Sequence, residues 1–219
     1  MGFFVTFEGI EGSGKSTQAR RVEAALREQG RDVVLTREPG GTAITAQIRS
    51  LLADPASHLD PTAELMLFLA DRAQHVASVV RPSLADGKVV LCDRYCDSTL
   101  AYQGYGRGHD LSWLEDLNRR ASHDVVPDLT LWIDCPVEVG LSRAQRRAGG
   151  PGDRFEAEPP EFHTRIRAGF AELARRFPQR IVRIYSDRDP EHVAADCIAA
   201  VAARLNAETG PGPELRRGA

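Results

Sequence analysis

The stretch Glu8-Gly9-Ile10-Glu11-Gly12-Ser13-Gly14-Lys15-Ser16-Thr17 follows directly on the apolar run Phe3–Glu8. From Gly9 on it satisfies G-x-x-x-x-G-K-[ST] in full, between a predicted strand and a predicted helix, which is the context a phosphate-binding loop requires. Glycines let backbone N–H groups converge on phosphate oxygens, and the positive end of the following helix points at the same place. The expected phosphate-binding set is therefore Gly9, Ile10, Glu11, Gly12, Ser13, Gly14, Lys15, Ser16 and Thr17. Lys15 brings charge to β- and γ-oxygens, and the Ser16 hydroxyl is an expected Mg²⁺ ligand.

Four further runs share the nearly continuous apolar character of Phe3–Glu8: Asp32–Thr36, Lys88–Asp93, Leu129–Asp134 and Arg180–Tyr185. Such runs are expected of strands buried on both faces of a parallel sheet. Between them lie helical patterns over Gln18–Gln29, Thr62–Leu84, Val137–Arg147 and Pro160–Arg176. Alternating strands and helices predict a P-loop α/β fold: three α/β/α layers with a five-stranded parallel sheet surrounded by helices. The expected organisation is one domain over residues 1–205, with a flexible tail over 206–219 that holds three glycines and two prolines.

Composition narrows the function classes. The chain has 219 residues, 42% of them hydrophobic and 27% charged, with net charge −3. That balance suits a single globular domain and argues against a chain-wide nucleic-acid footprint. No window approaches 18 consecutive apolar residues, so no membrane span is expected, and no secretory signal is evident. Cys92, Cys96, Cys135 and Cys197 include no C-x-x-C pair, which reads as reduced thiols in a cytoplasmic protein.

A second phosphate-site element should be an apolar strand ending in an acid. Val89-Val90-Leu91-Cys92-Asp93 fits and is followed by Arg94; Asp134, at the end of Leu131-Trp132-Ile133-Asp134, is a rival. Asp93 is the expected Mg²⁺ partner of Ser16, because a carboxylate beside a guanidinium suits two phosphorylated substrates meeting end to end. A guanine-dependent switch is disfavoured: neither Asn118 nor Asn206 is followed by lysine. A motor would need a larger chain, whereas a small kinase needs a cradle, an acceptor pocket and a lid.

Three segments outline the acceptor pocket. Phe68 and Arg72 share a helix face, one able to stack on a base and the other to grip a phosphate. Arg37-Glu38-Pro39-Gly40-Gly41 follows the second strand, at the edge where open α/β sheets bind ligands. Thr99, Tyr102 and Gln103 supply hydroxyls and an amide able to read a base edge or sugar face. The lid is expected at about residues 143–160, where Arg143, Arg146, Arg147 and Arg154 surround Ala148-Gly149-Gly150-Pro151-Gly152-Asp153. Flexible glycines between arginines suit an element that excludes water and brings positive charge to the transferring group. The expected catalytic residues are Lys15, Arg94, Arg154, Arg147 and Arg143.

These motifs, in this order and spacing from about Phe3 to about Ala203, resemble the thymidylate kinase family. The match comprises Glu8–Thr17, Arg37–Gly41, Phe68-Leu69-Ala70-Asp71-Arg72, Asp93-Arg94-Tyr95 and Ser98–Gly104. The resemblance implies transfer of the γ-phosphoryl group of ATP to dTMP with Mg²⁺. It further implies that Phe68 stacks on thymine, that Arg72 and Gln103 address the base, and that Arg94 and Arg37 grip the acceptor phosphate. Pro39 would shape that edge, Tyr102 would crowd the sugar 2′ position, and Glu11 would lie near the sugar and the arginines. Arg72 could equally reach the phosphate. A homodimer through helices such as Thr62–Leu84 is also implied.

One departure sorts the family. Some members carry an arginine just after the P-loop carboxylate; here Gly12 stands there, and the basic lid resembles that of bacterial-type members. Arg154 is then the first catalytic candidate, ahead of Arg143 and Arg147. Two other readings are a deoxynucleoside kinase, with Glu38 or Glu11 as base, and a non-catalytic nucleotide-binding module.

Overall fold

The computed structural model describes residues 2–147 and 153–209. The glycine-rich centre of the expected lid, residues 148–152, and residues 210–219 of the expected tail lie outside the described residues. One parallel sheet runs in the order β2-β3-β1-β4-β5, from β1 (Phe3–Glu8), β2 (Val33–Arg37), β3 (Val89–Asp93), β4 (Leu129–Asp134) and β5 (Ile181–Tyr185). All five strands fall within a residue of the runs read from sequence. Every residue of β1 and β4 is buried, because helices cover both faces of the central strands.

Register matters more than strand count. Phe7 lies beside Asp93 in the β1–β3 ladder, and Asp93 beside Arg37 in the β3–β2 ladder. The three strands therefore end level, which brings the P-loop, the Asp93-Arg94 turn and the Arg37-Glu38-Pro39 turn to one edge. Arg94 holds a left-handed conformation (φ 72°), which costs a non-glycine residue on the order of 1 kcal/mol or more. Bonds from Arg94 N to Phe7 O (3.0 Å) and from Tyr95 N to Glu8 Oε1 (2.8 Å) hold the turn in place.

Helix α1 (Lys15–Glu28) starts at Lys15 because Gly14 caps it in the left-handed region at φ 102°, which glycine adopts without a Cβ clash. The predicted Thr62–Leu84 helix is α3 (Pro61–His75), a π-type turn over Val76–Val80 and α4 (Arg81–Ala85). The widening falls just before Pro82, which has no N–H to continue the regular ladder. Helices α7 (Val137–Arg147) and α8 (Pro160–Arg176) match the sequence pattern residue for residue.

Four helical elements escaped the pattern reading: α2 (Ala43–Ala53), α5 (Cys96–Thr99) with its π-helical continuation Leu100–Gly106, α6 (Leu111–Ala121) and α9 (Pro190–Thr209). α2 carried a start signal. Thr42 Oγ1 accepts from Thr45 N (3.1 Å) and Thr45 Oγ1 from Thr42 N (2.8 Å), a reciprocal cap. α9 continues through Thr209, into the stretch expected to fray from residue 206.

Candidate active site

The level strand ends enclose one cavity of about 350 Å³. From the P-loop side it is lined by Glu11, Gly12, Gly14, Lys15, Ser16 and Thr17, and from the β3 end by Asp93 and Arg94. Arg37 and Pro39 close one flank, while Phe68, Arg72, Thr99, Tyr102 and Gln103 form the deeper wall. Gly9, Ile10 and Ser13 shape the loop from beneath without lining the cavity. Lys15 Nζ donates to Ile10 O (2.7 Å) and lies 3.4 Å from Ser13 Oγ, so the loop folds around its own lysine.

At the centre stands Glu11. Arg94 Nη2 donates to its Oε1 (2.7 Å), the Tyr102 hydroxyl lies 2.7 and 2.8 Å from its two oxygens, and His163 Nδ1 lies 3.3 Å from Oε2. Burial alone would raise this carboxyl; Arg94 first, then His163, Lys15 and Tyr102, outweigh burial and hold it down to about 2. Lys15 goes the other way for a cation: burial, then the like charge of Arg94, lowers it to about 8. Arg94 also packs over the Tyr102 ring at 4.8 Å, a cation–π contact that fixes its reach.

The deeper wall is a polar network. Arg72 is fully buried, donating to Glu38 Oε2 (2.8 Å), Thr99 Oγ1 (2.8 Å) and Asn118 Oδ1 (2.5 Å). Glu38 is tied in turn to His75 Nδ1 at 2.8 Å. With Glu38 committed to Arg72 and His75, it is poorly placed as a free base for a sugar hydroxyl. The pairing also fixes the Arg72 guanidinium deep in the wall, where the helix-face argument had set it beside Phe68.

Asp93 and Asp134 differ in their partners. The Ser16 hydroxyl donates to Asp93 Oδ2. Asp134 is held by Arg167 (2.7 Å) and Arg183 (2.5 Å) and lines no part of the cavity. A hydroxyl and one carboxylate are hard oxygen donors, which suit Mg²⁺ with its remaining ligands from phosphate and water. Among the described residues no group of three or more His, Cys, Asp or Glu side chains could form an all-protein metal cage. The donor set fits the ion.

The arginines of the expected lid are placed differently from the rest of the predicted set. Arg143 donates to Ser186 O (3.1 Å), toward the β5–α9 turn and away from the cavity lining. The side chain of Arg147 lies outside the described residues. Arg154 donates from Nε to Leu52 O (3.1 Å), and its Nη2 meets Glu64 Oε2 at 2.7 Å in a neighbouring pocket. In this structure Arg154 is therefore docked on the end of α2 and on α3. Asp153 and Phe155, on either side of it, do line the cavity.

Sequence reading missed Arg49, His163, Glu64 and Arg107. Arg49 lines the cavity and donates to Pro39 O (3.0 Å). It sits on the undetected α2, so no motif marked it. His163 stands in no motif, and only the fold brings α8 against Glu11.

Gly12 explains itself by contact. Its φ is +66°, and a Cβ there would lie 1.9 Å from Gly140 O on α7. The P-loop and α7 touch backbone to backbone, and an arginine at this position has no room.

Two anion-binding ends facing each other across Glu11 and Arg94 suit a transfer between nucleotides, which places the molecule among the P-loop nucleoside monophosphate kinases. The comparisons are specific. A family model described as thymidylate kinase matches residues 7–197, and the chain belongs to the thymidylate kinase family. The thymidylate kinase of Syntrophotalea carbinolica is 54% identical over 186 residues, covering 83% of this chain and 86% of that protein. That of Trichlorobacter lovleyi is 51% identical over 207 residues, covering 92% and 98%. The crystal structure of thymidylate kinase from Ehrlichia chaffeensis superposes with TM-score 0.75 at 37% identity, covering 91% of this chain and 98% of that one.

Proposed function

We propose that the protein transfers the γ-phosphoryl group of ATP to dTMP, giving ADP and dTDP. The observation that carries this reading is the shared cavity: Lys15 and Ser16 line it together with Arg94, Phe68, Tyr102 and Gln103. An oxygen of the acceptor phosphate forms the new bond to the γ-phosphorus, and the bond to the β-bridging oxygen breaks. That oxygen is already ionised near neutral pH, so no general base is needed. Positioning and charge neutralisation do the work.

Each side chain then has a task. The P-loop amides and Lys15 hold the donor β- and γ-oxygens. Arg94, fixed by Glu11 and Tyr102, grips the acceptor phosphate, with Arg37 at the flank and Pro39 shaping that edge. Phe68 stacks on the base while Thr99 and Gln103 address its edge. Arg72, which lines the same wall, addresses the base with Gln103, and Tyr102 crowds the sugar 2′ position. Ser16 and Asp93 would hold Mg²⁺, which when bound neutralises charge on the phosphoryl oxygens.

The organisation this reading uses is a single domain over residues 1–205 with a lid at about 143–160. Closure would carry Arg154 off Glu64 toward the transferring group, with Arg147 and Arg143 next in line. A homodimer through α3 is part of the proposal, and the exposure of Met66 on that helix supports it. No described helix is long and apolar enough to cross a membrane.

The test is ATP consumption with dTMP, dUMP, UMP, AMP and free thymidine as acceptors. Clear preference for dTMP is expected. Turnover with thymidine alone would make the protein a nucleoside kinase, and nucleotide binding without turnover would make it a binding module.

A further inference from the structure

Gln103 lines the cavity, but its orientation is set from outside by Glu64, a carboxylate on α3 that is 1% exposed. Gln103 Nε2 donates to Glu64 Oε1 at 2.9 Å. A carboxylate only accepts, so the amide nitrogen is the end that faces it, and the carbonyl oxygen is what the side chain has left to offer a ligand. Two guanidiniums hold Glu64 in turn. Arg107 Nη2 lies 3.1 Å and Arg154 Nη2 2.7 Å from Oε2, and Arg107 Nε reaches Oε1 at 3.3 Å. Arg107 thus bridges both carboxylate oxygens and Arg154 adds to Oε2, so the carboxylate is held in place and the amide has no second stable orientation against it.

We propose that Glu64 is a specificity-determining positioning residue. By fixing the Gln103 amide with its oxygen toward the acceptor, it makes the cavity demand a hydrogen-bond donor on the base edge. A pyrimidine with an N3–H, such as thymine, meets that demand. Cytosine, whose N3 is an acceptor, sets lone pair against lone pair and leaves buried groups unpaired, the most discriminating kind of mismatch. This inference rests on the dTMP kinase reading.

The test compares kcat/KM for dTMP and dCMP in the wild type, Glu64→Gln, Gln103→Met and the double variant. A neutral amide at position 64 accepts or donates, which frees Gln103 to invert. The dTMP-over-dCMP ratio is expected to fall at least about tenfold in Glu64→Gln, chiefly through KM for dTMP. Release of Arg154 acts on kcat for both acceptors alike and cancels in the ratio. In the Gln103→Met background, which has no amide to orient, Glu64→Gln should change the ratio no further. An unchanged ratio in Glu64→Gln, or a full additional loss in the double variant, overturns the role of Glu64. If Glu64→Gln does not fold, Glu64→Asp keeps the charge and withdraws the oxygens, and an unmoved ratio overturns the role equally. A wild type inactive on dTMP would overturn the functional reading and this inference with it; a wild type active on dTMP isolates the Glu64 result.

Discussion

The Arg94 guanidinium meets the Glu11 carboxylate at 2.7 Å across 83 residues of sequence, at the junction of the phosphate cradle and the acceptor wall. Both groups are buried far more than isolated charges tolerate, and each makes the other's burial possible. Removing one partner should therefore do more than remove a contact.

In Arg94→Ala, Glu11 loses the strongest influence that holds its carboxyl at about 2, and its titration moves up. A carboxyl lowered in the folded state stabilises above its unfolded value of 4.5, and that contribution is lost as pH falls toward 2. The variant should thus unfold at a higher pH on the acid side, and kcat/KM for dTMP should drop by roughly 10³-fold. Carboxyl NMR titration and steady-state kinetics check both; a Glu11 that titrates unchanged would contradict the pairing.

Lys15, lowered to about 8 by burial and Arg94, is half neutral near that pH in the free enzyme. A bound polyphosphate favours the charged form, so ATP binding should take up protons between about pH 8 and the ordinary lysine value of 10.5. Calorimetry in buffers of different ionisation enthalpy measures the uptake directly. Binding with no proton uptake in that window would show that Lys15 is already fully charged.

Glu8 carries a pH-dependent share of stability. Burial, with the charge of Asp97, raises its carboxyl from 4.5 to about 8. Between those values the folded protein holds a proton that the unfolded chain releases. The contribution is full below about 4.5 and is lost as pH rises through about 8. Glu8→Gln mimics the neutral acid and keeps an acceptor for Tyr95 N. Its Tm should fall less than that of the wild type between pH 6 and 9 by calorimetry; parallel curves would rule this out.

Asp93→Asn should raise the Mg²⁺ concentration for half-maximal velocity by about 10- to 100-fold. The same substitution leaves the distant Asp134 pairs with Arg167 and Arg183 intact, so thermal stability should change little. A Mg²⁺ titration of initial rate decides it.

Arg154→Ala should lower kcat by roughly 10³-fold with little change in KM for dTMP, if the lid delivers this guanidinium to charge developing in transfer. Loss confined to KM would leave Arg154 as a structural strut between Glu64 and the Leu52 carbonyl.

The strands were legible because apolar runs bounded by Gly, Asp and Arg carry the parallel-sheet signal by themselves. The predicted wall residues were legible because motif spacing places them at strand ends and on one helix face. What was hidden depends on contacts across the fold. Glu64 and His163 are a helix acid and a helix histidine in sequence, and only packing of α3 and α8 against the cavity gives them partners. Arg49 was missed with its helix, whose Thr42–Thr45 cap was its one local sign. Arg154 was read as a lid arginine, but no sequence pattern says where a lid side chain docks, here on Glu64.

The backbone contact between Gly12 and Gly140 has a historical consequence. A Cβ at residue 12 would overlap the Gly140 carbonyl, and one at 140 would lie 2.6 Å from Glu11 O. In a lineage built on this contact, an arginine cannot enter the loop at residue 12 by a single codon change. The helix beneath the loop must first give way, so the side chain at residue 12 and the packing of α7 can change only together.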